Sequence, residues 1–495
     1  MHAPFRDLLS RLRPWHGTVM MIAALFGYAV FVWTHAVVVP GGADSSGYFN
    51  TARLLGEGRV SEPARELPGL PMREMPVFMY VPLGFIPNAE QTALIPTYPT
   101  GLPLMLAGSA KLAGWHYGPL LVMVLHGVAG LFVTYQLARV SGVNCWVAAI
   151  GAAALGFSPV YVMFTLQAMS DVPALVWCGL ALLCVLRPGR NAALACGFAI
   201  GMAVLIRPTN VLIGLPVLLA ARLDWRRWLG VALGGLPAAL AFALYNRAAY
   251  GSPFSTGYGP FFNTLFSGEW VPRTLAHYGQ WLPALLSPLI VLVLVAPWVD
   301  RAARRTALVH GSWCVLVAGF YAAYYHTHET WWYLRFLLPI FPSLIVLAAL
   351  GGQRLLERAR PALQASAAAA AAVIAISSGH YWCKHFVAHH AGFHEQVYPT
   401  LLTMVAEEVP ANGIVLAMQA SGTLFHSTPR KIVRWDTIDN AWPAVRASAA
   451  KNGNPLYAAL FEFELREGFA AKVPGHWRKV REAGHVSLWR LEDEP

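Results

Sequence analysis

Residues 17–39 read GTVMMIAALFGYAVFVWTHAVVV, an apolar run without an acidic residue, a lysine or an arginine. A helix needs about 20 such residues to cross the hydrocarbon core of a membrane. Arg6, Arg11 and Arg13 precede the run, and no small-residue cleavage site separates it from Asp44. We therefore interpret the run as an uncleaved signal anchor, and it predicts a membrane protein.

The composition extends this interpretation to most of the chain. Of the 495 residues, 56% are apolar and only 12% are charged, and the mean hydropathy is +0.48. Soluble domains carry about twice that charged fraction. The net charge of +11 would suit a nucleic-acid partner, but the distribution of the basic residues along the chain argues against one.

Eleven apolar segments are long enough, or nearly long enough, to cross a membrane. They are residues 17–39, 117–139, 145–165, 172–187, 191–206, 208–222, 228–247, 282–299, 306–326, 333–351 and 362–380. A twelfth segment, 96–114, contains three prolines and Lys111, and we predict that it lies in or dips into the membrane interface. The predicted fold class is therefore a polytopic α-helical membrane protein with about eleven spans.

The arginines orient these spans, because positive charge collects on the cytoplasmic side of a membrane. With a cytoplasmic N-terminus and alternating spans, fifteen arginines fall in cytoplasmic segments and four at outer loops or span mouths. Those four are Arg207, Arg247, Arg273 and Arg335. The basic excess is thus mostly topological, which excludes nucleic acid as a partner. The topology also predicts that Asp44 and Asp171 reach the same outer face.

The tail after residue 380 differs from the rest of the chain in composition. Four of its segments read as strands, namely 413–419, 431–436, 456–463 and 485–491. With helical stretches between the strands, they predict a small soluble α/β domain. We therefore divide the chain into a transmembrane domain, 1–380, with its first outer loop at 40–116, and a soluble domain on the outer side, 381–495.

Two aspartates are candidates for chemistry at the outer face. Asp171 lies at the turn between two apolar runs, where an ionisable group is costly and therefore a candidate for function. The alternative is that Asp171 only caps the helix that begins at Val172-Pro173. Asp44 is the first charged residue after the first apolar run. It is either an interfacial charge followed by a surface helix or a catalytic base.

Two of the outer arginines, Arg207 and Arg335, lie at span mouths, against the general charge bias. Snorkelling of the guanidinium to the interface explains an isolated arginine of this kind. Two of them on the side that carries the candidate carboxylates are a weak indication of an anion site, since arginine binds phosphate in a bidentate manner.

The outer loop HTHETWWY (326–333) holds His326, His328 and Glu329 within a few residues. Imidazole and carboxylate groups are ligands for several divalent metal ions, so a metal site is one interpretation of this loop. The adjoining Trp-Trp-Tyr cluster is more simply an interfacial aromatic belt. The sequence indicates no other cofactor.

Six segments resemble, in order, the GT-C glycosyltransferases, polytopic enzymes that take sugars from polyprenyl-phosphate carriers. They are GADSSGYFNTARLLGEG (42–58), PTYPTGLPLMLAGSAKLAG (96–114), FSPVYVMFTLQAMSDVPALVWCGLALL (157–183), GFAIGMAVLIRPTNVLIGLP (197–216), NRAAYGSPFSTGYG (246–259) and WWYLRFLLPIFPSLIVLAALG (331–351). Within this superfamily the chain is most similar to the bacterial protein mannosyltransferase-like branch, which includes the aminoarabinose transferase acting on lipid A. The segments are specific for the fold class and not for the sugar.

The resemblance implies roles for the candidate residues. Asp44 matches the general base that takes the proton from the acceptor hydroxyl in an inverting transfer. Asp171 matches a second outer acid, which would orient the acceptor or the sugar, or hold a metal ion. The residues implied in substrate binding are Tyr48, Arg207, Tyr333 and Arg335, with Arg335 the first choice and Arg207 the second for neutralising the leaving phosphate. Ser45 stands where many members carry a second acid, which leaves metal dependence and the acceptor class open.

The resemblance also implies the partners and the location of the protein. The donor would be a polyprenyl-phosphate-linked sugar and the acceptor an envelope glycan, lipid or protein, with membrane lipid around the spans. The chain would lie in the cytoplasmic (inner) membrane of a bacterium, with the N-terminus in the cytoplasm and the C-terminal domain in the periplasm.

Two other functions stay open at this point. A transporter or flippase of lipid-linked sugars would need polar residues in mid-span or symmetric repeats, and the sequence has neither. A polymerase or ligase of lipid-linked glycans usually carries arginine-rich outer loops, whereas the loop 248–281 has only Arg273.

Overall fold

The structure is a computed structural model that describes residues 14–222, 224–259, 264–298 and 301–492. The arginines expected on the cytoplasmic side of the first span, Arg6, Arg11 and Arg13, lie outside these residues. The chain divides into two compact units. The helical unit comprises Met1–Ala36, Leu120–Leu240 and Pro260–Ala391, and the mixed unit comprises Val37–Pro119, Ala241–Gly259 and Gly392–Pro495.

Helices make up most of the described chain. In chain order, the α-helices are α1 (Pro14–His35), α2 (Gly42–Gly56), α3 (Gly101–Val140), α4 (Cys145–Gly156), α5 (Pro159–Thr165), α6 (Asp171–Leu186), α7 (Arg190–Ile206), α8 (Gly214–Ala221), α9 (Trp225–Tyr250), α10 (Val271–Leu285), α11 (Arg301–Ala322), α12 (Phe341–Leu356), α13 (Pro361–His385), α14 (Ala391–Glu395), α15 (Val397–Glu408), α16 (Ser421–Ser427), α17 (Trp442–Lys451), α18 (Glu462–Arg466) and α19 (Phe469–Lys472). The longest 3₁₀ segments are Pro288–Trp298 and Trp331–Ile340.

All eleven predicted apolar segments are mainly helical over their described residues. Four helices are long and apolar enough to cross a membrane, namely α3, α9, α13 and the continuous segment Trp331–Leu356. The number becomes six if each of two bent pairs is one span, and shorter apolar helices accompany them. The chain is therefore a multi-pass membrane protein, while the count of eleven spans stays a prediction.

The bends in these helices have identifiable causes. The axes of α4 and α5 differ by 63°, and the break is at Ser158-Pro159, where proline disfavours helical geometry in the preceding residue. Helix α3 is interrupted at Gly114, whose φ of 72° suits glycine far better than other residues. The predicted interfacial segment 96–114 ends at this interruption, and its position in the interface stays a prediction.

In the helical unit, helices α7 and α9 pack backbone to backbone. A Cβ atom added to Gly197 of α7 would lie 2.8 Å from the amide nitrogen of Gly235 in α9. A Cβ atom on Gly234 would collide in the same way with the backbone of Leu194. Small residues at such crossings are typical of membrane helix pairs, because close approach increases van der Waals contact. This packing fixes the middle of α7 against α9.

The mixed unit contains two sheets. The first outer loop forms a small antiparallel sheet from β1 (Glu62–Pro63), β2 (Phe85–Pro87) and β3 (Ala93–Pro96), in the order β1-β3-β2. The tail forms a five-stranded sheet from β4 (Ile414–Leu416), β5 (Lys431–Val433), β6 (Leu456–Phe461), β7 (His476–Ala483) and β8 (Val486–Glu492). Its order is β5-β4-β6-β8-β7, with β4 parallel to β5 and β6 and the remaining pairs antiparallel.

The tail therefore has the α/β character that its sequence predicts, with one strand more than predicted. All four predicted strands are present, and β7 was missed. The first outer loop contributes to the same hydrophobic core as the tail, through Leu54, Met72 and Leu94 beside Val415 and Leu460. The predicted division at residue 380 falls within α13, and as a division between membrane and periplasm it stays a prediction.

Candidate active site

The candidate residues fall into two groups, one in each compact unit. The first group surrounds Asp44, which lies in the first turn of α2. Gly42 opens this helix with a φ of 53°, a value that glycine adopts without strain. A carboxylate in the first turn is favoured by the helix dipole. Nine residues of α2 are buried, so the alternative in which a surface helix follows Asp44 does not fit the structure.

Asp44 is held by the hydroxyl group of Tyr98, which donates a hydrogen bond of 2.6 Å to Asp44 Oδ1. Burial of the ring, and then the negative charge of Asp44, raise the pKa of Tyr98 well above its usual value. The phenol therefore keeps its proton at any physiological pH and acts as a permanent donor. The bond fixes the orientation of the carboxylate.

Tyr98 is itself held by aromatic and backbone contacts. The ring of Tyr48 lies 5.1 Å from it and that of Tyr258 lies 6.4 Å from it in an edge-on arrangement. The ring also covers Gly47, where an added Cβ atom would approach a ring carbon to 2.6 Å. Tyr48, predicted to bind substrate, is only 4% exposed and packs against Tyr98.

The side chain of Ser45 stabilises the backbone next to Asp44. Its hydroxyl donates a hydrogen bond of 2.6 Å to the carbonyl oxygen of Val39. This residue stands where many members of the family that the sequence resembles carry a second acid. Here it fastens the start of α2 to the end of the preceding segment.

The second group, in the helical unit, is built around Asp171. This residue is the first of α6 and is completely buried. Arg207, which follows α7, donates a hydrogen bond of 2.6 Å from Nη2 to Asp171 Oδ1 and another of 3.1 Å from Nε to the hydroxyl of Ser170. The alternative that Asp171 serves only as a helix cap is wrong, because the residue before α6 is Ser170 and the carboxylate is paired with a guanidinium.

Arg335 joins this group from the 3₁₀ segment Trp331–Ile340. Its Nε atom lies 4.0 Å from Asp171 Oδ1, and both partners are largely buried. Two guanidinium groups and one carboxylate give these three residues a net charge of +1. Among the described residues, Asp171 Oδ2 is buried and has no hydrogen-bond partner. The cluster therefore offers an acceptor atom and a positive charge within one small volume.

Aromatic rings position Arg335. Its guanidinium carbon lies 5.3 Å from the ring centres of Phe164 and Phe336 and 5.9 Å from that of Tyr333. Tyr333 stacks on Phe336 with the ring planes only 6° apart. Cation–π contacts of this kind are worth about 0.5–2 kcal/mol each. They bring Tyr333 and Arg335, both predicted to bind substrate, to one place.

The loop predicted as a possible metal corner does not form a three-ligand site. Glu329 accepts from His326, with 2.7 Å between Oε2 and Nδ1, whereas the ring of His328 stacks on Trp270 at 5.5 Å. Within the described ranges, no three His, Cys, Asp or Glu side chains are grouped so that they could hold a metal ion. These residues therefore do not fit a metal ion as they stand, and whether the protein depends on a metal ion stays open.

The structure groups Asp171, Arg207, Tyr333 and Arg335, which the sequence offered as candidates, and their roles stay predictions. The sequence assigned no role to Tyr98, Ser170 or Phe336. Tyr98 lies in the segment PTYPTG, which was recognised only as a proline-rich segment of a family. Its partner Asp44 is 54 residues away in sequence. A tyrosine near a membrane surface reads as an interfacial aromatic residue, so only the fold shows that its hydroxyl faces a carboxylate.

Comparison of the fold with solved structures defines its class. ArnT from Cupriavidus metallidurans bound to undecaprenyl phosphate matches with a TM-score of 0.57 and 14% identity, covering 97% of this chain and 98% of that chain. The oligosaccharyltransferase of Archaeoglobus fulgidus matches with a TM-score of 0.59 and 11% identity over 93% of this chain and 72% of that one. The mycobacterial arabinofuranosyltransferase AftD matches with a TM-score of 0.53 and 13% identity, over 96% of this chain and 41% of that one. The fold is that of the GT-C membrane glycosyltransferases.

A family comparison agrees with the structural one. The family described as dolichyl-phosphate-mannose-protein mannosyltransferase matches residues 98–247. No curated protein matches the chain. The GT-C resemblance inferred from the sequence is therefore confirmed, and the matches include bacterial and archaeal enzymes alike, so they do not single out the bacterial mannosyltransferase-like branch.

Proposed function

We propose that the protein is a membrane glycosyltransferase that moves a sugar from a polyprenyl-phosphate carrier to an acceptor hydroxyl on the outer face of a bacterial cytoplasmic membrane. The observation that carries this proposal is the Asp44 carboxylate, oriented by the buried Tyr98 hydroxyl on a GT-C fold. Two of the matching proteins were solved with such carriers, undecaprenyl phosphate in ArnT and a dolichol-phosphate in the archaeal oligosaccharyltransferase AglB.

In the proposed reaction Asp44 is the general base. The acceptor oxygen attacks the anomeric carbon while its proton passes to the carboxylate of Asp44, and the bond between that carbon and the phosphate oxygen breaks. Attack opposite the departing phosphate inverts the configuration at the anomeric carbon. A base acts only within hydrogen-bond reach of the proton, so a carboxylate held by a fixed donor is well suited to this role.

The arginine cluster has the complementary role for the donor. As the glycosidic bond breaks, negative charge grows on the polyprenyl phosphate, and fixed positive charge lowers the energy of that transition state. Arg335 is the first candidate for this contact and Arg207 the second. Asp171 keeps both guanidiniums in position and offers Oδ2 to a hydroxyl of the sugar or acceptor.

The acceptor and the sugar are the least specified parts of the proposal. The archaeal AglB structure contains an inhibitory peptide, and the matching family is named for transfer to protein. The acceptor class thus spans envelope glycans, lipids and proteins, and the transferred unit is a hexose or a pentose. The N-terminus would lie in the cytoplasm and the tail in the periplasm.

The test is a comparison of envelope glycans in wild-type, deletion and Asp44→Asn cells by mass spectrometry. Glu57→Gln is the matched control, because Glu57 is an exposed acid at the other end of α2. We expect one sugar to disappear from a glycan in the deletion and Asp44→Asn cells while its polyprenyl-phosphate donor accumulates. The Glu57→Gln cells should keep the sugar.

The opposite outcome would redirect the assignment. If Asp44→Asn cells retain the sugar that deletion cells lose, with normal protein abundance, then Asp44 is an interfacial charge and not the base. A transporter or a polymerase of lipid-linked glycans would then be the better description of the protein.

A further inference from the structure

The tail is bonded directly to the segment that carries Asp44. The side chain of Asn50 in α2 donates a hydrogen bond of 3.0 Å to the carbonyl oxygen of Gly422 in α16. In the other direction, the hydroxyl of Thr423 donates to the carbonyl oxygen of Pro40, just ahead of α2. These two bonds hold α16 to both ends of the stretch that contains Asp44, and all of these residues belong to the mixed unit.

Gly422 of α16 lies directly against the side chain of Ser46 in α2 and the backbone of Leu83. A Cβ atom added to Gly422 would lie 2.8 Å from Cβ of Ser46 and 2.6 Å from the carbonyl oxygen of Leu83, and it would also collide with the Ser46 hydroxyl. A side chain at position 422 therefore requires a shift of Ser46, of Leu83 or of α16 itself. Glycine at this position permits a contact that leaves α2 little room to shift.

A second element of the tail touches the same stretch. An added Cβ atom on Gly41 would lie 2.7 Å from a ring carbon of Tyr398 in α15, and it would also meet the carboxylate of Glu395. Tyr398 in turn accepts a hydrogen bond of 3.2 Å from Gln419. The start of α2 is thus packed against α15 as well as bonded to α16.

From these contacts we infer that the tail is a positioning element for Asp44, with Gly422 and Thr423 as the positioning residues. The inference rests on the proposed function of Asp44 as the base. General-base catalysis depends on geometry, and a misplacement of about 1 Å can cost about 100-fold in rate. The tail would thus be required for the transfer itself, in addition to any part it has in choosing an acceptor.

The first experiment measures the position of α2 and needs no substrate. Amide hydrogen exchange of the full-length protein in lipid nanodiscs reports how often the first turns of α2 open. We compare Thr423→Val, which removes the hydroxyl, with Thr423→Ser, which keeps it. Thr428→Val is the matched control, because the Thr428 hydroxyl bonds to Leu424 within the tail.

We expect exchange in the first turns of α2 to be about five-fold faster in Thr423→Val, as the loss of one hydrogen bond predicts. Exchange should be unchanged in Thr423→Ser and Thr428→Val. Gly422→Ala should accelerate exchange in α2 more than Thr423→Val does. If Gly422→Ala does not fold, the comparison of Thr423→Val with Thr423→Ser tests the inference without it. Equal exchange in Thr423→Val and Thr428→Val would overturn the inference.

The second experiment asks whether the position matters for transfer. The readout is the envelope sugar that disappears in Asp44→Asn cells, measured at equal protein abundance. Its amount should be about ten-fold lower in Thr423→Val cells than in wild-type cells. Thr423→Ser cells should contain the wild-type amount. Unchanged transfer despite faster exchange in α2 would also overturn the inference, because the tail would then pack on α2 without positioning Asp44.

The two proposals fail in different ways. Retention of the sugar in Asp44→Asn cells removes the proposed function, whatever the exchange data show. Loss of the sugar in Asp44→Asn cells together with wild-type transfer in Thr423→Val cells removes only the inference about the tail.

Discussion

Asp44 and Asp171 are two aspartates in the first turns of two helices, and they differ in what holds them. Each accepts a hydrogen bond of 2.6 Å on Oδ1. The donor to Asp44 is a neutral phenol, whereas the donor to Asp171 is the guanidinium of Arg207, with Arg335 4.0 Å away. Both aspartates lie in the first turn of a helix, but the charge on the donor of these two hydrogen bonds differs.

This difference separates the two aspartates by chemical role. Removing the carboxylate of Asp171 would break its largely buried ion pair with Arg207, which is strongly destabilising. The phenol beside Asp44 orients the carboxylate without adding a positive charge. We therefore expect Asp44 substitutions to act on the rate and Asp171 substitutions to act mainly on stability.

The largest expected effect is on the rate in Asp44→Asn. General-base catalysis contributes about 10²–10⁴-fold, so transfer should fall by that factor. The thermal unfolding temperature should stay close to that of the wild type, because asparagine can still accept the Tyr98 hydrogen bond. The measurements are mass spectrometry of the product and thermal unfolding in detergent. A large loss of stability in Asp44→Asn would show that Asp44, like Asp171, acts mainly on stability, and it would contradict the expected difference between the two aspartates.

Asp171→Asn should show the reverse pattern. Removing one partner of a buried ion pair costs about 3–5 kcal/mol, so the free energy of unfolding should fall by about that much. Because Arg207 is the partner, the double variant Asp171→Asn/Arg207→Gln should be less destabilised than the sum of the single variants. Additive losses would show that the two side chains do not depend on each other.

The next effect in size is that of Tyr98→Phe, which removes the bond that orients Asp44. A hydrogen bond to a charged group is worth about 1.5–3 kcal/mol, so transfer should fall by about 10–100-fold. Because the raised pKa of Tyr98 keeps its proton in place, the ratio of wild-type to variant rates should be constant between about pH 6 and pH 9. A ratio that changes steeply in this range would show that Tyr98 itself titrates.

The parts of the fold that follow from local pattern were predictable. Apolar length alone located eleven segments that are helical in the structure, and alternation with β-branched residues located four strands of the tail. The strand β7 was not predictable in this way, because its sequence HWRKVREA is mostly charged and exposed. It is held as an edge strand by its pairing with β8, which a pattern within one segment does not report.

The candidate site was predictable only in part, and for the same reason. Charges against the positive-inside bias identified Arg207 and Arg335, and a carboxylate between apolar runs identified Asp171. The contact between Tyr98 and Asp44, and that between Thr423 and Pro40, join residues 54 and 383 positions apart. Pairings at such distances in sequence depend on the tertiary fold and leave no signal in either segment alone.

A third carboxylate, Glu395 of α14, extends the comparison to an acid whose pKa is changed by burial. Burial raises the pKa of Glu395 from 4.5 to about 7. Between these two values the folded state binds more protons than the unfolded state, so stability is highest below about pH 4.5 and is lost as the pH rises through 7. This pH dependence is that of the contribution of Glu395 alone, which is about 1 kcal/mol after allowance for its partial exposure to solvent.

Glu395→Gln should therefore remove a small pH dependence from the mixed unit. Thermal unfolding of the full-length protein in nanodiscs, measured from pH 5 to pH 8, should lose part of its decline with rising pH in this variant. Glu407→Gln is the matched control, since Glu407 is an exposed acid on α15 paired with Arg481. Because Glu395 lies against Gly41, the protection of the amides in the first turns of α2 against hydrogen exchange should decrease over the same pH range. If the unfolding temperature of Glu395→Gln declines with rising pH as much as that of the wild type, then another group titrates in this range. Glu395 would then not be an acid whose burial affects the stability of the protein.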